Sequence, residues 1–402
     1  FQIVLFDRNN YHTFQPLLYQ VATAGLEPDS IADPLRKQLE PAKNFFFRMG
    51  EVLEVNPAAN TISTEIGELN YDYLVIATGS RTNFFGNTSL MQHAFPLKQI
   101  PQALDLRSHI LQNFEAATIT EDLMEKKSRM NIVVVGGGPT GVEVAGALGE
   151  LKRSILPKDY PELDFSKMSI ILLEASSRLL GGMSDKSSER ALRYLKKFHV
   201  DVYLNTLVET YDGKSAKLSN GEQINTHTLI WGAGVKGNYP DGLPDQAIEK
   251  SRILVDEFSR VIETDNIFAI GDIASMKTED YPQGHPMLAP VAIQQGDHLA
   301  INLKNITQHK PFKPFKYFDK GSMATVGRNK AVVDFPRSGT LGGFPAWMVW
   351  MFIHLISIIG FRNKLIVFLN WVWNYFTYDK GTRLIIRKFV PSKLRKKEAE
   401  VF

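Results

Sequence analysis

"NIVVVGGGPTGVEVAGALGEL", residues 131–151, is the stretch on which the fold turns. A short apolar run, Ile132 to Val135, leads into Gly136-x-Gly138-x-x-Gly141, and a helical pattern follows. Gly136 permits a tight turn, Gly138 lets backbone approach a pyrophosphate, and Gly141 lets helix and strand pack closely. The helix N-terminus adds a positive dipole, so strand, loop and helix in this order predict a dinucleotide site. The acid expected after the next strand, "MSIILLE" (168–174), is Glu174. There it would take both ribose hydroxyls and repel a 2′-phosphate, which favours NADH over NADPH. Glu174 stands 33 residues beyond Gly141, against the usual ~20, because residues 151–167 lengthen the crossover. The bland alternative is a solvated acid closing a strand.

Outside this unit lie the marks of another. The chain opens "FQIVLFDRNN" (1–10), an apolar run ending at Asp7 and a polar turn, as the second strand of a dinucleotide unit ends. A glycine loop should precede it, and is expected upstream of Phe1. "YLVIATG" (73–79) and "LIWGAG" (229–234) are glycine-terminated strands in equivalent places, and "TDNIFAIGDIA" (264–274) is a further apolar strand ending in Gly-Asp. The turn at 57–60 predicts a hairpin, residues 97–129 a charged helical crossing, and 290–306 a helix. The fold class that follows is α/β, with two Rossmann-like dinucleotide-binding domains, one inserted in the other. Expected limits are 1–110 and 246–340 for the outer, FAD-binding domain, 111–245 for the inner, NADH-binding domain, and 341–402 for a C-terminal segment. In the outer unit Asp272 would face a ribitol chain. Two such units imply FAD in the outer and NADH in the inner, with hydride passing from nicotinamide to flavin.

Composition narrows the chemistry. With 402 residues and 44% apolar content the chain has ample core for several domains. The formal charge is only +3, and residues 379–402 carry eight Lys/Arg against three Asp/Glu. The basicity therefore belongs to the tail and not to a nucleic-acid surface. Cysteine is absent, which excludes disulfide reductase, sulfide:quinone oxidoreductase and any thiol redox step. Electron transfer must use a bound cofactor. No metal site and no EF-hand pattern is expected.

The chain resembles the type II, non-proton-pumping NADH:quinone oxidoreductases, over almost its whole length. The resemblance rests on "DRNNYHTFQPLLYQVATAGLEP" (7–28), "IVVVGGGPTGVEVAGAL" (132–148), "LIWGAGV" (229–235), "IFAIGDIA" (267–274), "APVAIQQG" (289–296) and "GFRNKLIVFLNWVWNYFTYDKGTR" (360–383). It implies that Asp7 and Arg8 hold the FAD adenosine half, that backbone at Val52 meets the adenine, and that Thr78, Gly79, Gly271 and Asp272 contact the flavin side. Thr140 and Gly234 join the nucleotide-binding set on the same ground. A quinone site is implied beside an "AQxAxQ" pattern, which here reads Ala289-Pro290-Val291-Ala292-Ile293-Gln294. Its first glutamine is Pro290, so only Gln294 is left to donate to a quinone carbonyl. Pro290 suits a first helical position, and a helix N-terminus there would favour negative charge at the flavin's pyrimidine edge. Glu143, in the first turn after the second glycine loop, is a candidate to relay protons near the quinone, although helix first turns favour acids in any case. Lys380, in the "DKGTR" turn, is a candidate to reach flavin or quinone, against a plain solvated lysine. His12 and Tyr19 read as satisfied core positions.

The tail gives a separate indication. "WMVWMFIHLISIIGF" (347–361) and "LIVFLNWVWNYFTY" (365–378) are each only about 21–23 Å long as helices, short of the roughly 30 Å hydrocarbon core. Neither should span. Asn363, Asn370, Asn374 and Thr377 form one polar stripe on an otherwise apolar helix, an interfacial pattern. The basic run Arg387, Lys388, Lys393, Arg395, Lys396 and Lys397 would draw it to an anionic leaflet at about 1 kcal/mol per charge. The partners expected are a membrane quinone, the bilayer surface and a second copy in a homodimer, with the protein peripheral on the cytoplasmic face of the inner membrane. A buried dimer interface is the other use for these helices. Rival functions are an NADH-dependent reductase of a soluble carrier, ferredoxin or rubredoxin, and a non-catalytic NADH/FAD-binding interaction protein.

Overall fold

The structure, a computed structural model, describes residues 1–40, 42–336 and 339–390. The chain forms two compact units, each discontinuous in sequence. One comprises Phe1–His12, Pro34–Asn83 and Val235–Lys320; the other comprises Thr13–Asp33, Phe84–Gly234 and Gly321–Phe402.

The second unit is built around the glycine loop. Its parallel sheet runs Phe95–Pro96, Thr228–Trp231, Ile132–Val135, Ile170–Leu173, Val200–Tyr203, with Ile132 beside both Ile170 and Thr228. The three middle strands are buried along their whole length, as strands covered on both faces must be. The long crossover leaves this register undisturbed. Its residues Leu156, Tyr160, Leu163, Phe165 and Met168 are buried, with the Tyr160 and Phe165 rings packed on Phe114. The helix Pro139–Ser154 follows the loop, and its Gly146 lies against Val326 of an antiparallel sheet, Ser322–Gly327, Lys330–Phe335 and Gly339–Gly343. A Cβ at Gly146 would overlap the Val326 carbonyl, so glycine is what lets sheet and helix meet.

The first unit holds the strand Ile3–Asp7, parallel to Phe45–Met49, and the strand Leu74–Ile76, parallel to Ile267–Ala269. The predicted hairpin is Val52–Asn56 with Thr61–Thr64, joined by a third strand, Gly67–Asn70. Val55, Ile62, Ile76, Ile253, Ile267 and Met276 are part of one core. Ile3–Asp7 is half-buried instead of buried, with Ile3 and Phe46 exposed. The helix expected over 290–306 is Ala289–Thr307, with Pro290 in its first turn.

The crossing read as 97–129 divides into Ile100–Ile119 and Leu123–Met130, the second started by Asp122, whose side chain accepts from the Met124 and Glu125 amides. The two apolar stretches are the helices Phe344–Ser357 and Phe361–Thr377. No described helix is long and apolar enough to cross a membrane.

The polar stripe of the last helix faces the opposite way from the expectation. Asn363 donates to the Ala32 carbonyl at 3.0 Å, Asn370 to Glu27 Oε2 at 2.9 Å, and Trp371 Nε1 to Gln20 Oε1 at 2.8 Å. The stripe therefore docks the helix on residues 20–32 of the same unit. What remains outside is mostly apolar: Phe361, Leu365, Phe368, Leu369, Trp373 and Phe376 are exposed, Phe376 by 76%, with Arg362 beside them. The helix is amphipathic, but its polar face satisfies half-buried backbone and side-chain groups, and its apolar face meets the surroundings. Lys393, Arg395, Lys396 and Lys397 lie outside the described residues.

Candidate active site

In the glycine loop each predicted glycine has a different reason to be there. Gly136 has φ +107°, and a Cβ on it would crowd the Ala233 amide at 2.8 Å. Gly141 faces the Gly136 carbonyl so closely that any side chain would overlap it. Over Gly138 there is open space, room for a pyrophosphate at the helix N-terminus. Thr140 is exposed in the first helical turn. Gly234, φ +80°, is needed because a Cβ there would strike the Phe85 ring. Gly137 was not singled out by the motif, yet it is constrained too, by Leu179 and Glu174.

Glu174 does more than close its strand. Oε2 accepts from the Gly137 amide at 2.5 Å, and Oε1 from the Ser176 amide at 2.7 Å. The carboxylate thus reaches the loop itself, beside the place where a ribose would meet it. The loop, the open space and this acid together fit a dinucleotide.

The first unit also offers nucleotide-type features. Asp7 ends its strand with Oδ1 accepting from the Asn9 amide at 2.7 Å. Arg8 is exposed and paired with Glu51 at 3.3 Å, and Val52 starts the adjoining hairpin, half-buried. Thr78 is exposed, and Gly79, φ +67°, has open space where a side chain would be. The Ser80 hydroxyl donates to Asp272 Oδ2 at 2.5 Å, and the Gly271 amide, at φ +76°, donates to Gln295 Oε1 at 2.7 Å. These groups fit the ribose, ribitol and backbone contacts of a flavin dinucleotide.

Gln294 departs from its expected role. Its Nε2 donates to the carbonyls of Pro290 and Phe318, both at 3.0 Å, and its Oε1 accepts from the Phe318 amide at 2.9 Å. The amide is spent on backbone and ties down the 318 segment. The neighbouring Gln295 is the buried one.

Glu143 and Lys380 come together in the second unit. A cleft is lined by Tyr19, Glu143, Glu150, Arg328, Trp350 and Lys380, among others. Burial pushes the Glu143 carboxyl up to about 8; the Thr325 amide, 3.4 Å from Oε1, and the nearby Trp350 indole oppose that rise. Lys380, half-buried, is pushed down to about 8, first by burial, against the pull of Glu150 and with help from the Arg328 and Arg383 charges. Tyr19 is buried as expected, but it also lines the cleft, its hydroxyl accepting from Gln20 at 2.9 Å. His12 is exposed and not a core residue. Reading the sequence missed Glu150, Arg328 and the tryptophans. Of these only Glu150 left a signal, seven residues after Glu143 on one helix face.

Residues 1–296 match the family described as pyridine nucleotide-disulphide oxidoreductase, and residues 320–378 match the NDH2 C-terminal domain. The chain is 33% identical to the type II NADH:quinone oxidoreductase NdhA of Mycobacterium tuberculosis, over 98% of this chain and 86% of that protein. It is 34% identical to the type II NADH:quinone oxidoreductase Ndh of the same organism, over 94% and 84%. Among solved structures, NDH2 from Plasmodium falciparum in complex with NADH has the same fold, with TM-score 0.87 at 22% identity over 96% of this chain and 95% of that one. Relatedness this extensive, together with two nucleotide-type units, makes the assignment: the chain belongs to the type II NADH:quinone oxidoreductases, enzymes that use FAD and NADH.

Proposed function

We propose that quinone is reduced at the cleft of the second unit, with Glu143 and Lys380 holding the protons it takes up. FAD, which Asp7, Arg8, Thr78, Gly79 and Asp272 would hold, would supply the hydride-accepting and electron-donating chemistry. The chain's part is to bind, to exclude water and to supply protons. Glu143 carries its proton below about pH 8, so at neutral pH it is a neutral acid able to donate. Lys380 is an ammonium below about pH 8 and can donate to a second oxygen.

One observation carries this reading. Trp347, Trp350, Trp371 and Tyr375 line the cleft from the same two helices whose outer residues, Phe352, Ile356, Phe368 and Phe376, are exposed and apolar. A helix pair that is apolar outward and lines an acid-bearing cleft inward suits a substrate collected from lipid. We assign the glycine loop, with Gly136, Gly138, Thr140, Gly141, Glu174 and Gly234, to NADH. Asp7, Arg8, Val52, Thr78, Gly79, Gly271 and Asp272 are assigned to FAD. The protein sits on the cytoplasmic face of the membrane and pairs as a homodimer through part of its apolar surface.

Filling the cleft tests the site. Ala147 lines it and is buried, so Ala147→Leu should raise the quinone KM about tenfold while the NADH KM holds. Equal rises in both would move the quinone elsewhere.

A further inference from the structure

We propose that Arg328 is a positioning residue for quinone reduction, holding the turn that presents Lys380 to the cleft. The inference rests on the reading of the cleft given above, and deepens it. Arg328 sits in the turn between the strands Ser322–Gly327 and Lys330–Phe335. Its Nη2 donates to the Asn374 carbonyl at 2.6 Å and its Nη1 to the Tyr375 carbonyl at 2.9 Å. These belong to the last turn of the helix Phe361–Thr377, where the dipole is negative; the Asn374 carbonyl also takes the Tyr378 amide at 3.1 Å. The same guanidinium lies 3.6 Å from the ring centroid of Tyr378, a cation over an aromatic face.

Tyr378 has φ +57°, a left-handed helix stop usually filled by glycine or asparagine. A tyrosine there is held by the stack above it. Two residues on comes Lys380. The turn is fastened on its other side as well: Arg383 bonds Asp159 at 2.6 Å, Asp379 at 3.0 Å and the Lys380 carbonyl at 2.5 Å. Arg328 is itself anchored, since its backbone amide donates to Glu150 Oε1 at 2.5 Å on the glycine-loop helix.

One side chain therefore joins the hairpin, the end of the last helix and the lysine turn. The charged groups around the Lys380 ammonium are Glu150, Arg328 and Arg383, with Asp159 and Asp379 engaged by Arg383. Lysine could not replace Arg328. It has neither the planar fork for two carbonyls nor the flat face for the tyrosine ring.

The test compares Arg328→Gln, Arg328→Lys and Lys380→Met in the FAD-loaded, full-length protein. Two quantities are read: the rate of flavin reoxidation by a short-chain quinone, and the pH midpoint of Lys380 acetylation, followed peptide by peptide by mass spectrometry. Flavin bleaching by NADH in the same samples reports an intact fold. Arg328→Gln should slow reoxidation at least tenfold and move the Lys380 midpoint upward, toward the ordinary lysine value of 10.5. Arg328→Lys should slow reoxidation nearly as much, because charge alone does not hold the turn. An unchanged Lys380 midpoint in Arg328→Gln, or full rescue by Arg328→Lys, overturns the proposal. If Lys380→Met itself reoxidises at the parent rate, the cleft reading fails, whatever Arg328 does. Should Arg328→Gln not fold, Tyr378→Gly keeps the left-handed turn and removes the stack, and it too must slow reoxidation.

Discussion

Glu143 and Glu174 are acids of one nucleotide-type unit, yet their surroundings give them opposite work. Glu174 accepts from two backbone amides within 2.7 Å and is held against the loop. Glu143 is buried, with one distant amide, and keeps its proton. Glu174→Ala should therefore raise the NADH KM and narrow the margin of NADH over NADPH, read as the ratio of kcat/KM values. Glu143 also sets a pH dependence of stability. Its folded-state pKa of about 8 exceeds the ordinary 4.5, so between these values the folded state binds more protons than the unfolded one. Stability then falls as pH rises through that window and levels off above it. Glu143→Gln should raise Tm at pH 8 and leave it nearly unchanged at pH 4.5. Gln294 was legible as a candidate only by pattern. One partner, the Pro290 carbonyl, lies one turn back on the same helix; the other, the Phe318 backbone, is 24 residues away on a segment that no motif announces. Gln294→Ala should lower stability by about 1 kcal/mol and leave the quinone KM in place, checked by thermal melts and steady-state kinetics.

The last helix shows what a pattern can and cannot tell. Asn363, Asn370 and Asn374 at helical spacing gave an amphipathic helix, and that is what forms. Which face turns inward depends on acceptors some 330 residues earlier, at Glu27 and Ala32, and spacing carries no word of them. Three glycines of the loop were readable because a turn, a close approach and a dipole fall within six residues, whereas Gly137, pressed by Leu179 and Glu174 from later in the chain, was not. The inversion separates two kinds of substitution. Asn370→Leu strips Glu27 of a partner and should cost about 1–3 kcal/mol, seen as a lower Tm. Phe376→Glu, on the exposed face, should leave Tm unchanged and weaken binding to anionic vesicles in a flotation assay.

At the scale of the molecule, the second unit carries the glycine loop, the cleft with Glu143 and Lys380, and the two helices whose outer faces are apolar. The C-terminal segment is not a detachable tail, since Trp350 and Trp371 wall the cleft that holds Glu143. The two-unit α/β plan could be read from glycine-ended strands. The cleft could not, because it is assembled from residues 19–25, 143–150, 325–328 and 347–380. On the function proposed above, Glu143 supplies a proton when quinone is reduced in this cleft. This is tested most directly by mixing NADH-reduced holoprotein with a short-chain quinone between pH 6 and 10 and following flavin reoxidation. The parent rate should fall through about pH 8, and Glu143→Gln should be slower by at least ~100-fold with that limb lost. A Glu143→Gln protein that reoxidises at the parent rate with the parent pH profile would contradict the account.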